Sequence, residues 1–526
     1  MSEERRHPAV VTSVLGSGSA EWEKISARRF DHVIVGSGIC SVAFADAVLR
    51  HDPQARILIV EQGGFLLPEN LQGLDAAFAP LLGPASESYP WRTHDASDGR
   101  LFVRGILPYL GGKSLTWSGW CPRPTSAELA WWPAGVASTL GERFAEAESL
   151  LGVLDANAIG TRFGWYGGLQ HGLQAHCTDR MGVVPGLRSV EPARLALADG
   201  GRGELGFRKF AVPALLFGLA DRIDIVPHCR VKSIERRAGT AVALRTTRGT
   251  LPLRGANLIL AAGTIPSTAL VMGAFPELTD AGRNLTAHSI TLVRARIPVD
   301  ELPFAGSENG AELAALHLPG ATSHSAFHLQ ITGVRCGNPG LMYPVLRRHA
   351  PDCDAFVTAD QLAGSERHVV LTCAALGEHG SGGDCRVIVN GDHLRVELSS
   401  SELDRSTWDA MDTALFGLVE DVLSSGRRSG LEYWVEGALG GRWARQRPST
   451  AQCRLPGLVH EASTLRMGEA ADSVVDLNYR LRGATNVYIT GGALWPTGSS
   501  ANPTLTMVAL AQDLADRLTA SASQAR

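Results

Sequence analysis

The alternation of apolar and polar positions changes character along the chain. His32-Val33-Ile34-Val35 is a short run rich in β-branched residues that breaks at Gly36-Ser37-Gly38. Apolar positions then recur at helical spacing through Val42, Ala45, Ala47 and Leu49, until Asp52-Pro53 stops them. Arg56–Val60 follows as a second strand, apolar after Arg56 and ending at Glu61. A continuous short apolar run is what a strand covered on both faces requires, so this segment predicts strand, tight turn, helix and a parallel strand. Between about 222 and 263, Ile223–Val226, Arg230–Glu235 and Ala241–Leu244 read as short strands, and Asn257–Leu260 as a buried strand running into Ala261-Ala262-Gly263. Residues 286–448 alternate more strictly. There Arg386–Leu398 predicts a hairpin with a type I′ turn at Asn390-Gly391, and Trp408, Met411, Leu415, Leu418, Val419 and Val422 predict a helix with one apolar face. Region 70–120 reads as extended loop. Near the end, Asn502-Pro503-Thr504 predicts a helix start, with Asn as the cap and Pro at the first helical position.

The first of these units carries candidate chemistry. Gly36 permits a tight turn, Gly38 lets backbone approach a pyrophosphate, and Ile39 and Cys40 open the helix whose N–H groups would face that anion. Glu61, at the end of the second strand, is placed to accept from a ribose diol. The third fingerprint position is Ser41 where Gly is usual. Cys40 is read as a small filler beside the ligand. This pattern predicts a dinucleotide site and leaves NAD and FAD both open.

Composition narrows the class. The chain has 526 residues, 44% of them hydrophobic, with 49 basic against 53 acidic side chains and a net charge of −4. No Lys/Arg-rich run is interleaved with aromatics, which argues against nucleic acid, and no apolar stretch reaches the ~20 residues of a membrane span. Nine scattered cysteines without a C-x-x-C pair point to reduced thiols in a cytoplasmic setting and to no metal site. Residues 1–29 read as a loose tail. His460 is a candidate base, because imidazole titrates near neutrality, and it precedes the helix opening at Asn502. A neutral base near a helix N-terminus suits an alcohol that loses a proton while a redox ring takes its hydride.

Several segments together resemble the glucose–methanol–choline (GMC) oxidoreductases, and among them the pyranose 2-oxidase-like branch. The carriers are Gly36–Glu61, Leu110–Trp117, Leu258–Gly263 with Ser267, Gly282–His288, His460–Gly468 and Asn486–Thr506. The resemblance implies FAD and an α/β fold. A Rossmann-like FAD-binding domain would be built from 30–120, 201–285 and 449–526, with a connecting insertion at 121–200. An α+β substrate-binding domain on an antiparallel sheet would be inserted at 286–448. It implies that His460 takes the hydroxyl proton while Asn502 orients the hydroxyl. Gly111, Gly112, Ser114, Trp117, Val231, Ala262, Gly263, Gly491, Gly492, Asn502, Pro503 and Thr504 would line the cofactor, and His288 would be structural. Trp117, Trp120 and Trp495 are candidates for the pocket wall.

Two departures matter. The branch carries Thr-His-Trp with the histidine bonded to FAD, whereas this chain has Leu115-Thr116-Trp117, so FAD is expected to be non-covalent. The family's His-x-x-Gly-Thr is His460-Glu461-Ala462-Ser463-Thr464, so Ser463 would be strained if that position needs a positive φ. The expected activity is oxidation of a small-molecule alcohol, a secondary hydroxyl of a sugar, glycoside or cyclic polyol by branch resemblance, with O₂ or another acceptor reoxidising the flavin. The alternative is a lyase on the same fold.

Overall fold

The computed structural model describes residues 19–74, 86–199, 206–302, 310–352, 357–380, 382, 384–391, 393–437 and 440–525. The first part of the expected N-terminal tail, 1–18, lies outside them. Ser19–Ala27 is helical, with Trp22 and Ile25 buried, so this part of the tail is packed and not loose.

The elements that position the site run in order as β1 (His32–Val35), α1 (Ile39–His51), β2 (Ile57–Val60), β3 (Phe102–Val103) and α2 (Ala134–Leu151). Next come β4 (Asp224–Val226), β5 (Asn257–Leu260), β6 (Thr286–Pro298), β7 (Ala311–Ala321), β8 (Ala326–Cys336) and β9 (His368–His379). The last are α3 (Glu402–Gly417), β10 (Arg454–Ala462), β11 (Val487–Ile489) and α4 (Thr504–Ala525).

A five-stranded sheet of order β11-β5-β1-β2-β4 is parallel throughout. Its central strands are buried along their whole length, which explains their unbroken apolar runs. Helix α1 is buried on nearly every side, from Cys40 to Leu49, because the sheet lies under it and α4 lies over it. That double cover is why its apolar residues exceed a single stripe. Helix α2, from the expected connecting insertion, also packs on α4 and places Leu140, Phe144, Ala147 and Leu151 in the same core.

A nine-stranded sheet holds β6, β7, β8 and β9 as long antiparallel neighbours in the order β6-β9-β8-β7. One edge of β6 is shared by β10 and the short strand Glu432–Val435. The segment 449–526 is thus divided: β10 belongs to this large sheet and β11 to the parallel one. Helix α3 covers the sheet through Trp408, Met411 and Leu415, and continues over Leu418–Leu423 with π-helical geometry, which keeps Val419 and Val422 buried.

One turn and one loop region differ from expectation. In the hairpin Asn390 pairs with His393, so Asn390 ends its strand instead of opening the turn. That hairpin stands apart from the large sheet, pairing with Arg92–Asp95. Region 70–120 therefore supplies two short strands, Arg92–Asp95 and β3, the latter parallel to β10. No described helix is long and apolar enough to cross a membrane.

Candidate functional site

A cavity of about 960 Å³ opens between the carboxyl ends of the parallel strands and the large sheet. Gly36, Gly38, Ile39, Cys40, Glu61, Gly111, Gly112, Ser114, Trp117, Val231, Ala262, Gly263, His460, Gly491, Gly492, Asn502, Pro503 and Thr504 all line it. Segments hundreds of residues apart thus meet at one concave surface, at the strand ends where open α/β sheets bind ligands.

The glycine turn has the geometry a phosphate cradle needs. Gly36 has φ 97°, and a Cβ there would stand 2.6 Å from the Ala261 carbonyl oxygen. A Cβ on Gly38 would meet nothing within 4 Å, so its outer face is open, and no side chain caps α1. Ser41 fits where glycine is usual because its hydroxyl donates to the Gly36 carbonyl at 2.7 Å. Glu61 lies buried beside the turn. One oxygen accepts from Ser37 N and Oγ and the other from Gly63 N, while burial pushes its pKa up. It holds the loop; Oε2 is filled by the two bonds from Ser37, and Oε1, with one from Gly63 N, retains a lone pair for a diol. Cys40 is a filler, its thiol pushed up to about 12 by burial.

The second glycine segment is braced internally. Ser114 Oγ donates to Gly111 O and accepts from Val212 N, so its hydroxyl shapes the loop and is not free for a ligand. Trp117 is fixed by its Nε1 donating to Phe210 O at 2.7 Å. Trp120 lines the cavity as expected, whereas Trp495 packs against Trp132 and does not reach it.

His460 lies on β10 with φ 62°, in the left-handed region that few non-glycine residues occupy. Ser463 has φ 69°, so the expected strain is present there, and its Oγ lies 3.1 Å from Thr286 Oγ1. His460 Nδ1 is 2.9 Å from His288 Nδ1, and His288 Nε2 is 2.9 Å from the Ser499 carbonyl oxygen. A carbonyl only accepts, so His288 Nε2 carries a hydrogen. Burial holds His288 to about 4, hence neutral, and its Nδ1 is an acceptor. The hydrogen between the two rings therefore belongs to His460 Nδ1, and its Nε2 keeps a lone pair; this tautomer is assigned from the network. Burial, then the neighbouring His288 and Lys113, pull His460 well below its ordinary pKa.

Asn502 departs from expectation in one respect. Helix α4 starts at Thr504, and the Pro503 carbonyl accepts from Met507 N, so Pro503 occupies the cap position instead of Asn502. The Asn502 carboxamide oxygen instead accepts from Gln330 Nε2 at 2.6 Å. With its oxygen engaged, its amide nitrogen remains as a donor. His460 and Asn502 thus bring an acceptor and a donor to one cavity, the complement of a hydroxyl group.

The loop preceding α4 is fixed by a buried carboxylate, Glu128, and a half-buried one, Glu378. Glu128 Oε1 accepts from the backbone of Ser500 and Ala501 and from the hydroxyls of Ser499 and Ser500. Glu378, raised to about 7 by burial, accepts from Gly498 N at 2.7 Å. Lys113 and Glu461 pair at 2.7 Å beside His460. Sequence patterns gave no sign of Glu128, Glu378 or Gln330, because each comes from an element distant in the chain. The contact of His288 with His460 was equally hidden, although His288 itself sits in a recognisable segment.

Residues 395–511 match the family model described as GMC oxidoreductase. That stretch contains His460 and Asn502 together with β10, β11 and the start of α4. The chain shares the fold of pyridoxine 4-oxidase from Mesorbium loti, at 18% identity and a TM-score of 0.56, over 93% of this chain and 99% of that one. No curated protein matches the sequence.

Proposed function

We propose that the protein is a GMC-type, FAD-dependent oxidoreductase that oxidises an alcohol to a carbonyl. The observation that carries this reading is the pairing of a lone-pair nitrogen on His460 with an amide donor on Asn502, in the same cavity as an uncapped glycine turn. The family model over 395–511 and the shared fold of an oxidase support it. In this reading β1, β2, β4, β5, β11, α1 and α4 form the FAD-binding part, and β6–β9 with β10 form the roof over the substrate. The cradle fits the cofactor: open space beyond Gly38 and the free first turn of α1 suit a pyrophosphate, and Glu61 suits a ribose.

Bound FAD would supply the hydride acceptor. The chain supplies the rest. Asn502 Nδ2 donates to the substrate oxygen and fixes the hydroxyl, while His460 Nε2 accepts its proton as the C–H bond breaks. His288 keeps that nitrogen unprotonated beforehand by accepting from Nδ1. Glu128 and Glu378 hold the loop that carries both Ser499 and Asn502, so donor and acceptor keep a common frame. Thr116 occupies the position where the related branch has its flavin-linked histidine, and its hydroxyl has no comparable nucleophilicity, so FAD is held non-covalently.

His460→Ala should slow anaerobic flavin reduction by ~10²–10⁴-fold while FAD stays bound. A near-wild-type reduction rate contradicts the role of His460. In the same preparation acid precipitation should free the FAD, and yellow colour left in the pellet contradicts non-covalent binding.

A further inference from the structure

The catalytic pair rests on the large sheet at two points. His460 meets His288 on β6, and Asn502 meets Gln330 on β8. The register fills in the sheet between them: Ile290 on β6 lies opposite Leu376 on β9, Leu292 lies opposite Ala374, and Ala374 lies opposite Gln330. Side chains two apart on a strand share a face. The strip from His288 to Gln330 is therefore Ile290, Leu292, Leu376 and Ala374, and these four form one apolar cluster, against which Val459 packs. Ile290, Ala374, Leu376 and Val459 line the cavity.

Most polar groups bordering this strip are engaged; His328, on the Gln330 face of β8 and opposite Leu376, keeps its Nδ1 without a partner. The Gln330 amide nitrogen donates to Asn502. Glu87, beside the junction of β3 and β10, accepts from Arg104, Tyr89 and Gly105 N. Asp352 accepts from Trp120 Nε1 at 2.9 Å. A carbon skeleton that extends over the strip from a hydroxyl held by His460 and Asn502 meets four apolar side chains, with Gln330 and His328 at the β8 border.

We propose that the substrate is a weakly polar alcohol, with one hydroxyl gripped by His460 and Asn502 and a hydrocarbon body seated on the Ile290–Leu376–Ala374 strip, in place of the sugar implied by the branch resemblance. This rests on the alcohol-oxidising reading above and narrows its substrate. Each further hydroxyl of a sugar buried against the strip without a partner weakens binding by about tenfold or more, whereas methylene groups gain from leaving water. Hydride loss and proton transfer to His460 convert the CH–OH to C=O, with FAD taking the two electrons.

The test mixes FAD-loaded enzyme anaerobically with matched alcohols: benzyl alcohol, cyclohexylmethanol and perillyl alcohol against glucose, galactose, methyl β-glucopyranoside and myo-inositol. The hydrophobic alcohols should reduce the flavin with at least tenfold higher efficiency. Preference for the sugars overturns the substrate class and leaves the alcohol-oxidising function standing. Flavin that none of them reduces overturns that function, and the substrate class with it. A binding measurement is independent of turnover. 1-Methylcyclohexanol, a tertiary alcohol with no carbinol hydrogen, should bind with a negative heat-capacity change in calorimetry, and methyl β-glucopyranoside should not bind. The reverse order contradicts the proposal. Leu376→Asn should cut efficiency with benzyl alcohol at least tenfold and Leu376→Met should largely retain it; equal efficiency in all three proteins contradicts a substrate seat at this strip.

Discussion

In the proposed mechanism, two imidazole rings and one carbonyl set which nitrogen of His460 can act as the base. The order Ser499 O, His288, His460 fixes every hydrogen in the chain and leaves His460 Nε2 free to accept. His288 is a positioning residue in this scheme. His288→Ala removes the acceptor for His460 Nδ1–H, so the other tautomer competes, and flavin reduction should fall by ~10–10²-fold. His288→Asn returns an acceptor oxygen and should recover part of the loss. The pH profile separates this role from simple packing. His460 is held well below its ordinary pKa, so wild-type kcat/KM should stay level through pH 6.5 into the acid range. In His288→Ala, water entering the vacated space should move the acid limb up towards 6.5. An unchanged profile and rate contradict the relay. That His460 and Asn502 belong to one cavity was readable because the motifs around them are local in sequence. The left-handed backbone of His460 and its contact with His288 were not, since both arise where β10 joins the edge of β6.

At the scale of elements, the loop between β11 and α4 matters most. A loop ordinarily moves more than the strands beside it, yet here its backbone is tied to Glu128 and Glu378. Glu128→Ala removes a buried carboxylate that serves four donors of this loop and two from Thr125. Leaving those donors unpaired should cost about 3 kcal/mol or more of stability, read by denaturant unfolding. Flavin reduction should fall at least tenfold, because Ser499 and Asn502 lose their frame; unaltered stability and rate contradict the account. The helix opening at Asn502-Pro503-Thr504 was legible to within one residue. The bond from Gln330 to the Asn502 oxygen was not, because it joins β8 to this loop across a long stretch of chain. Similarly, the apolar face of α3 was legible while its π-helical end was not, as periodicity records burial and not hydrogen-bond register.

At the scale of the whole molecule, three separated segments close one parallel sheet, and the site exists only when all are in place. The β1-α1-β2 unit was legible as a unit because strand, turn and helix are contiguous. The return of β5 to this sheet was legible from its buried apolar run, whereas the entry of β11 into it, and of β10 into the other, depends on long-range pairing that no local pattern encodes. Buried histidines give this assembly a pH dependence. Burial lowers His32 and His288 to about 4 and His349 to about 3. Below about pH 6.5 the unfolded chain binds protons that these folded histidines refuse, so stability falls with pH by about 1.4 kcal/mol per unit for each, down to their folded values. Glu378, raised to about 7, has the opposite sign between its ordinary value and 7, and offsets one histidine of the three. The melting temperature should therefore decline steadily from pH 6.5 to 4. A melting temperature that rises over that window contradicts the buried neutral histidines.

The central claim is that a carbinol C–H bond breaks while His460 holds the proton of its hydroxyl. Anaerobic stopped-flow reduction of the bound flavin, with one alcohol in protiated and carbinol-deuterated forms, tests it most directly. The flavin should bleach with both, at a rate at least about threefold slower for the deuterated alcohol. Product formed with the flavin spectrum unchanged would identify a lyase and contradict the account.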